Sequence, residues 1–210
     1  APAAGPGAGS RRLIFATGNR HKLREMRELL PGVGLEARPA GVELPAEEGE
    51  SFAAIALEKA RAAHEATGRP ALADDSGIGA IALGGRPGTH SARYGGEEAS
   101  DEENLEKLLR EVAAAGGERG AYYTCALALI EADGAEHVFE ARCEGHLIEE
   151  PRGEGGFGYD PAFVPEATGP EDQRTMSELS QAEKNEISHR GLAARRLVGH
   201  LGAGRARAGG

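Results

Sequence analysis

The chain has 210 residues, with 24 lysines and arginines against 34 aspartates and glutamates, which gives a formal net charge of −10 with histidines neutral. That length suits one domain, or two small lobes sharing a core, and it can bury enough surface to fold without disulfides or a structural metal. A composition of 40% hydrophobic and 28% charged residues argues against disorder, and 32 glycines without a G-X-Y period argue against collagen. With 4% aromatics, no Trp and an acidic balance, general nucleic-acid binding is excluded as a default, because it rests on basic patches and stacking platforms.

Residues 1–11 read as a flexible N-terminal extension without the pattern of a signal peptide, 12–201 as one domain and 202–210 as a flexible tail. No apolar run reaches eighteen residues, so no membrane span is expected. Cys125 and Cys143 are too few and too far apart for a CxxC pair and are expected as reduced, buried thiols in a cytoplasmic protein.

In chain order, RLIFA at 12–16 predicts a strand that stops at Thr17-Gly18-Asn19, followed by a helix over 21–30 that Pro31-Gly32 closes. A second helix fits 51–67, where Phe52, Ile55, Ala56, Ala60 and Ala63 recur at helical spacing and Gly68 ends the run. A short strand at 71–73 leads into a turn, Asp74-Asp75-Ser76-Gly77. Ser100 and Glu103 form a capping box for a helix carrying Leu105, Leu108, Leu109 and Val112. Two strand-like runs, 121–132 and 137–148, flank Asp133-Gly134 as a long hairpin. A glycine-rich loop covers 153–161, Ser180 and Glu183 start another helix, and Ser188 caps the last one. The pattern is α/β with a mixed sheet and lacks the GxGxxG of a doubly wound dinucleotide fold.

Only Lys22, Lys59, Lys107 and Lys184 are lysines, so 20 of the 24 basic residues are arginine. A lysine is a compact point charge suited to a phosphate oxygen. Lys107, between leucines on a charged helix, reads as a solvated residue, whereas the other three fall beside polar turns or acidic clusters. Thr17-Gly-Asn-Arg-His-Lys22 lies where a strand meets a helix, a place that favours an anion, although a plain capped helix start explains it equally well. Asp74 and Asp75 repel one another unless a cation or proton lies between them. Magnesium, which takes one or two carboxylates plus substrate phosphates, suits that pair, with Glu47 and Glu48 available to complete a site. The bland alternative is an ordinary turn. In Gly155-Gly-Phe-Gly-Tyr-Asp160-Pro161, Phe157 offers a ring face and Asp160 an acceptor, or else the aromatics simply fill the core. Lys184, His189 and Arg190 put basic groups near a helix N-terminus, against its dipole, which an anionic or carbonyl-rich ligand would explain better than folding does.

Together these segments resemble the inosine triphosphate pyrophosphatase family. The resemblance rests on T-x-N-x-x-K at 17–22, E-x-G-x-[ST]-F at 47–52 followed by Lys59-Ala60, A-D-D-S-G at 73–77, G-x-P-G-x-x-S-A-R-Y at 85–94, G-G-F-G-Y-D-P-x-F at 155–163 and E-K-N-x-I-S-H-R-G at 183–191. It covers about residues 12–201. It implies a two-lobed α/β fold around a long mixed sheet flanked by helices, with a cleft between the lobes, and a homodimer. It also implies Mg2+-dependent hydrolysis of ITP, dITP and XTP to the monophosphate and pyrophosphate, with no nucleic-acid or membrane partner. Carried over by position, Asp75 is the general base and a metal ligand, and Glu47 the second metal carboxylate. Thr17, Asn19, Lys22 and Lys59 hold the triphosphate, with Gly18, Arg20 and His21 counted in the same motif. Ser76 touches substrate beside the metal, and Phe157 stacks on the purine. Gly158, Tyr159, Asp160, Lys184, His189 and Arg190 frame the base. Ile55, Ile81 and His90 depart from the family's usual Asn, Asp and Tyr. Two rivals are weaker. A pyrimidine-directed pyrophosphatase of the septum-formation type is disfavoured by Ser188-His189-Arg190, and a non-catalytic nucleotide sensor by the intact carboxylate pair.

Overall fold

The computed structural model describes residues 11–49 and 51–208, the last five of these by backbone alone. The expected N-terminal extension lies outside the described residues, except that Arg11 already opens the first strand. Five α-helices and six strands are present among the described residues: β1 (Arg11–Phe15), α1 (Arg20–Leu29), β2 (Val33–Ala37), α2 (Phe52–Thr67), β3 (Ala71–Ala80), α3 (Asp101–Ala114), β4 (Gly120–Ile130), β5 (Glu136–Leu147), β6 (Phe163–Pro165), α4 (Gln181–Ile187) and α5 (His189–Ala208). The strands form one mixed sheet in the order β2-β1-β3-β4-β5-β6, with β1 parallel to β2 and β3 and with β5 antiparallel to β6. No described helix is long and apolar enough to cross a membrane.

The chain divides into two compact units. The first comprises Ala126–Glu140 with residues 11–75 and 193–208. Asn19 caps α1, its Oδ1 accepting from the backbone N–H groups of His21 at 2.8 Å and Lys22 at 3.2 Å. That saturates two of the donors a helix start leaves without partners. Ser51 caps α2, and Gly68 closes it in the left-handed region. The core of this unit is built largely from alanine: Ala56, Ala60 and Ala63 of α2 cluster with Ala71, Ala73, Ala126 and Ala128 of the strands, together with buried Ile14, Val42 and Ile130. Small residues on both partners let the helix backbone approach the sheet closely.

The second unit comprises Ser76–Cys125 and Ala141–Leu192. Both expected capping boxes are present, Ser100 with Glu103 on α3 and Ser180 with Glu183 on α4. Its core gathers Ile78, Leu105, Leu108, Val112, Tyr123, Leu147, Phe163 and Met176.

Four elements differ from expectation. The strand expected to end at Ala73 runs through Asp74-Asp75-Ser76-Gly77 to Ala80, so the acidic pair is buried mid-strand and is not a turn. Strands β2 and β6 carry no sequence signal of their own. Helix α5 continues to Ala208, into the stretch read as a tail.

Close packing in the alanine-rich core makes a specific prediction. Ala63 is fully buried, so Ala63→Leu overfills the site and lowers stability by about 1–3 kcal/mol. Urea unfolding should show an earlier midpoint at unchanged slope.

Candidate active site

Within the first unit, three acidic and two basic side chains converge. Lys22 on the first turn of α1 places Nζ 3.2 Å from Asp74 Oδ2, and Asp74 is completely buried. Lys59 of α2 lies 3.5 Å from Asp75 Oδ1 and donates to Glu47 Oε1 at 2.7 Å. Lys59 is 4% exposed, and the neighbouring Glu48 is exposed, so Glu47 is the carboxylate that joins the group. Thr17 Oγ1 accepts from the Asn19 N–H at 3.1 Å and keeps its hydroxyl proton for another acceptor. Gly18 and Arg20 are exposed, and exposed His21 is paired through Nδ1 with Arg24 at 2.9 Å.

Charge explains the titration of this group. Burial works against ionised Glu47, yet Lys59 overrides it and holds the carboxyl below its usual value. Burial also opposes the Lys59 ammonium, but Asp74, Glu47 and Asp75 outweigh that and raise it. Asp75 goes the other way: burial is the main cause, Glu47 and Asp74 add to it, Lys59 and Lys22 only partly offset it, and its pKa reaches about 6. Of the three carboxylates, Asp75 is the one that holds its proton more tightly than usual. Its Oδ2 is buried without a hydrogen-bond partner.

A second group lies in the other unit. Ser188, extended, links α4 to α5, and its Oγ accepts from Gly191 N–H at 3.1 Å. Gly191 is obligatory at this junction, since a Cβ there would lie 2.0 Å from the Asn185 carbonyl oxygen. The tight link places His189 and Arg190 on the first turn of α5, both buried. Lys184 donates to Asp160 Oδ2 at 2.7 Å, and Arg190 donates to Ser76 Oγ at 3.1 Å. Both cations face the Phe157 ring, at 5.0 Å for Lys184 and 5.7 Å for Arg190 from its centroid. The loop closes on Asp160: Phe157 N–H donates to Oδ2 at 3.2 Å, and a Cβ on Gly156 would meet that oxygen at 2.3 Å.

Gly158 and Tyr159 have partners within the fold. Gly158 N–H donates to Asp101 at 2.8 Å, and the buried Tyr159 hydroxyl donates to the Ser91 carbonyl at 2.6 Å. Among the departures, Ile55 is buried against Gly49, where a Cβ would meet it at 2.9 Å, while Ile81 and His90 are exposed. The fourth lysine, Lys107, donates to the Tyr94 carbonyl at 2.7 Å.

Tyr123 is a site residue that its sequence context marks only as one more strand position. Its hydroxyl donates to Asp160 Oδ1 at 3.0 Å, and its ring stacks on His189 at 4.5 Å and 5°. Burial and the adjacent Asp160 push its phenol well above the ordinary value, so it stays a donor. The one sign of it in the sequence is a pair of successive tyrosines in a strand otherwise free of aromatic residues.

Two outcomes follow from this geometry. Folding lifts the Asp75 carboxyl from 3.8 to about 6, so the folded chain holds more protons than the unfolded chain between those values. Stability is therefore lost as pH rises through that window. In chelator, Asp75→Asn should be more stable than wild type at pH 8 by about 2–3 kcal/mol, with the difference vanishing below pH 4; denaturant unfolding at the two pH values measures it. Tyr123→Phe keeps the ring on His189 but leaves an Asp160 lone pair unmet, at a loss of about 1–2 kcal/mol. Tyr123→Ala should lose clearly more in the same experiment.

The sequence profile of the Ham1 family matches residues 13–200. A Geobacillus kaustophilus protein named dITP/XTP pyrophosphatase is 46% identical over 191 residues, covering 88% of this chain and 91% of its own length. A Thermus thermophilus protein of the same name is 45% identical, covering 89% and 90%. Among solved structures, a HAM1 protein from Coxiella burnetii superposes with a TM-score of 0.82 at 40% identity, covering 92% of this chain and 99% of that one. A nucleoside-triphosphatase / dITP/XTP pyrophosphatase from Mycobacterium abscessus gives 0.70 at 39% identity, covering 89% and 98%. On the sequence match and the shared fold alike, the chain belongs to the Ham1 family.

Proposed function

We propose that this protein hydrolyses non-canonical purine nucleoside triphosphates (dITP, XTP and ITP) to the monophosphate and pyrophosphate, removing them from the nucleotide pool. The observation that carries the reading is the group formed by Asp75, Glu47, Lys59, Lys22 and Asp74 in a chain whose relatives are named dITP/XTP pyrophosphatases.

Attack of water on the α-phosphorus forms one P–O bond and breaks the bond to the bridging oxygen, with pyrophosphate leaving. Such chemistry is mostly positioning and charge stabilisation. Asp75 takes the proton of the attacking water as general base. Lys22 and Lys59 turn from their carboxylate partners to the phosphate oxygens, and the Thr17 hydroxyl donates to the same chain of phosphates. Asn19, committed to the α1 cap, acts by setting the direction of Lys22.

The donor set fits magnesium. Asp75 Oδ2 is a buried oxygen without a hydrogen-bond partner, and Glu47 adds a second carboxylate, which together make the hard, all-oxygen surroundings that this ion takes. Glu47 and Asp75 would hold it, and when bound it offsets the charge that builds up on the phosphates.

The second group reads the base. Phe157 offers a stacking face, while Arg190, His189 and Lys184 present donors. A purine with a keto oxygen at the 6-position accepts from them, whereas the amino group of adenine sets donor against donor. An unmet buried donor costs on the order of 1–3 kcal/mol, which is about ten- to hundredfold discrimination per contact. Asp160, with both oxygens already engaged, serves as the counter-ion that holds Lys184 in place.

A cytoplasmic location fits the two buried cysteines, which form no disulfide. The homodimer implied by the resemblance belongs to the same reading, with light scattering as its measurement.

Incubation with ITP, XTP, dITP and ATP plus magnesium should release pyrophosphate and monophosphate, with the three non-canonical substrates turned over at least tenfold faster than ATP. Asp75→Asn should abolish turnover. Release of orthophosphate, equal use of ATP, or an active Asp75→Asn protein would each overturn the assignment.

A further inference from the structure

A third cluster of polar side chains shares no residue with the two groups above. Glu131 follows the last residue of β4, His137 is the second residue of β5, and His200 lies on α5. All three belong to the first unit, and each is half-buried. One ligand atom from each, an imidazole nitrogen or a carboxylate oxygen, lies within 4.8 Å of the other two. His200 Nε2 is 3.5 Å from Glu131 Oε1, and the two imidazole rings have centroids 4.2 Å apart at 45°.

The geometry points to a binding site for a divalent transition-metal ion of the zinc type, held by His137, His200 and Glu131. Two imidazoles and a carboxylate make a three-residue donor set that leaves a fourth tetrahedral position for water. Imidazole nitrogens select zinc, nickel or copper over magnesium, so this site and the all-oxygen group at Asp75 sort metals by donor type. With metal–ligand bonds of about 2.0–2.1 Å, tetrahedral donors stand roughly 3.4 Å apart. The three ligand atoms, within 4.8 Å of one another, draw closer together when the ion is bound.

The surroundings fit that role. Arg11 pairs with Glu131 through Oε2, which leaves Oε1, the oxygen facing His200, for the metal. A partner that fixes the second oxygen of a ligating carboxylate orients it, as outer-shell groups at metal sites do. The Phe139 ring packs beside His200 at 5.4 Å between centroids and limits its rotation. Bound metal would tie α5 to the β4–β5 turn and stabilise the folded chain in proportion to the logarithm of free metal over its dissociation constant.

The test takes the full chain through chelator and dialyses it against zinc. One tightly held zinc per chain is expected, with the thermal midpoint rising as zinc increases. His137→Gln and His200→Gln should each lower affinity at least tenfold with unchanged circular dichroism, whereas Asp75→Asn should retain the zinc. Cobalt on the wild-type protein supplies a readout that needs no variant: intense visible bands of four-coordinate cobalt are expected. No stoichiometric zinc, zinc retained in both histidine variants, or only the weak spectrum of six-coordinate cobalt would overturn the proposal and leave His200 and Glu131 as an ordinary ion pair.

Discussion

Two adjacent carboxylates in the middle of a buried strand are the constraint around which the first unit is organised. Neither could stay ionised there alone, because an uncompensated buried charge costs far more than a single domain's margin of stability. Lys22 answers Asp74 and Lys59 answers Asp75 and Glu47, so the helices bearing the lysines must start and sit where they do. The Asn19 cap directs the first turn of α1. Burial, with Glu47 and Asp74 alongside, lifts the Asp75 carboxyl to about 6.

The second group is built on buried cations. Lys184 pairs with Asp160, Arg190 donates to Ser76, and both lie beside the Phe157 ring. Asp160 is fully engaged by Tyr123, Lys184 and the Phe157 N–H, which holds the loop and the lysine in position without help from a ligand. Such preorganisation lowers the ordering cost of binding. A net charge of −10 describes neither group.

Features that depend on neighbours in the chain are legible in the sequence alone. The capping pairs Ser100 with Glu103 and Ser180 with Glu183 are four-residue signals, and both helices begin where those signals stand. The long hairpin strands are legible from their apolar runs. What escapes depends on distant partners. Asp74-Asp75-Ser76-Gly77 has the local chemistry of a turn, yet β3 runs through it between β1 and β4, with Lys22 and Lys59 from two other elements as partners of its carboxylates. Tyr123 acquires its role from Asp160, 37 positions away. Strand β6 is three residues long and exists because β5 offers it an edge. The choice of Glu47 over Glu48 is a matter of which side chain the backbone turns toward Lys59, which spacing alone leaves undecided.

The run of alanines on α2 acts as a spacer of fixed height. Because Ala56, Ala60 and Ala63 meet mostly alanine in the facing strands, the distance from helix to sheet is set by methyl groups that have no rotamers to adjust. Lys59 rides on that helix, so the placement of its ammonium relative to Asp75 is decided by residues that touch no substrate. Variation in this chain can therefore tune the placement of the Lys59 ammonium by a single methylene in the core, leaving the polar groups around it unchanged.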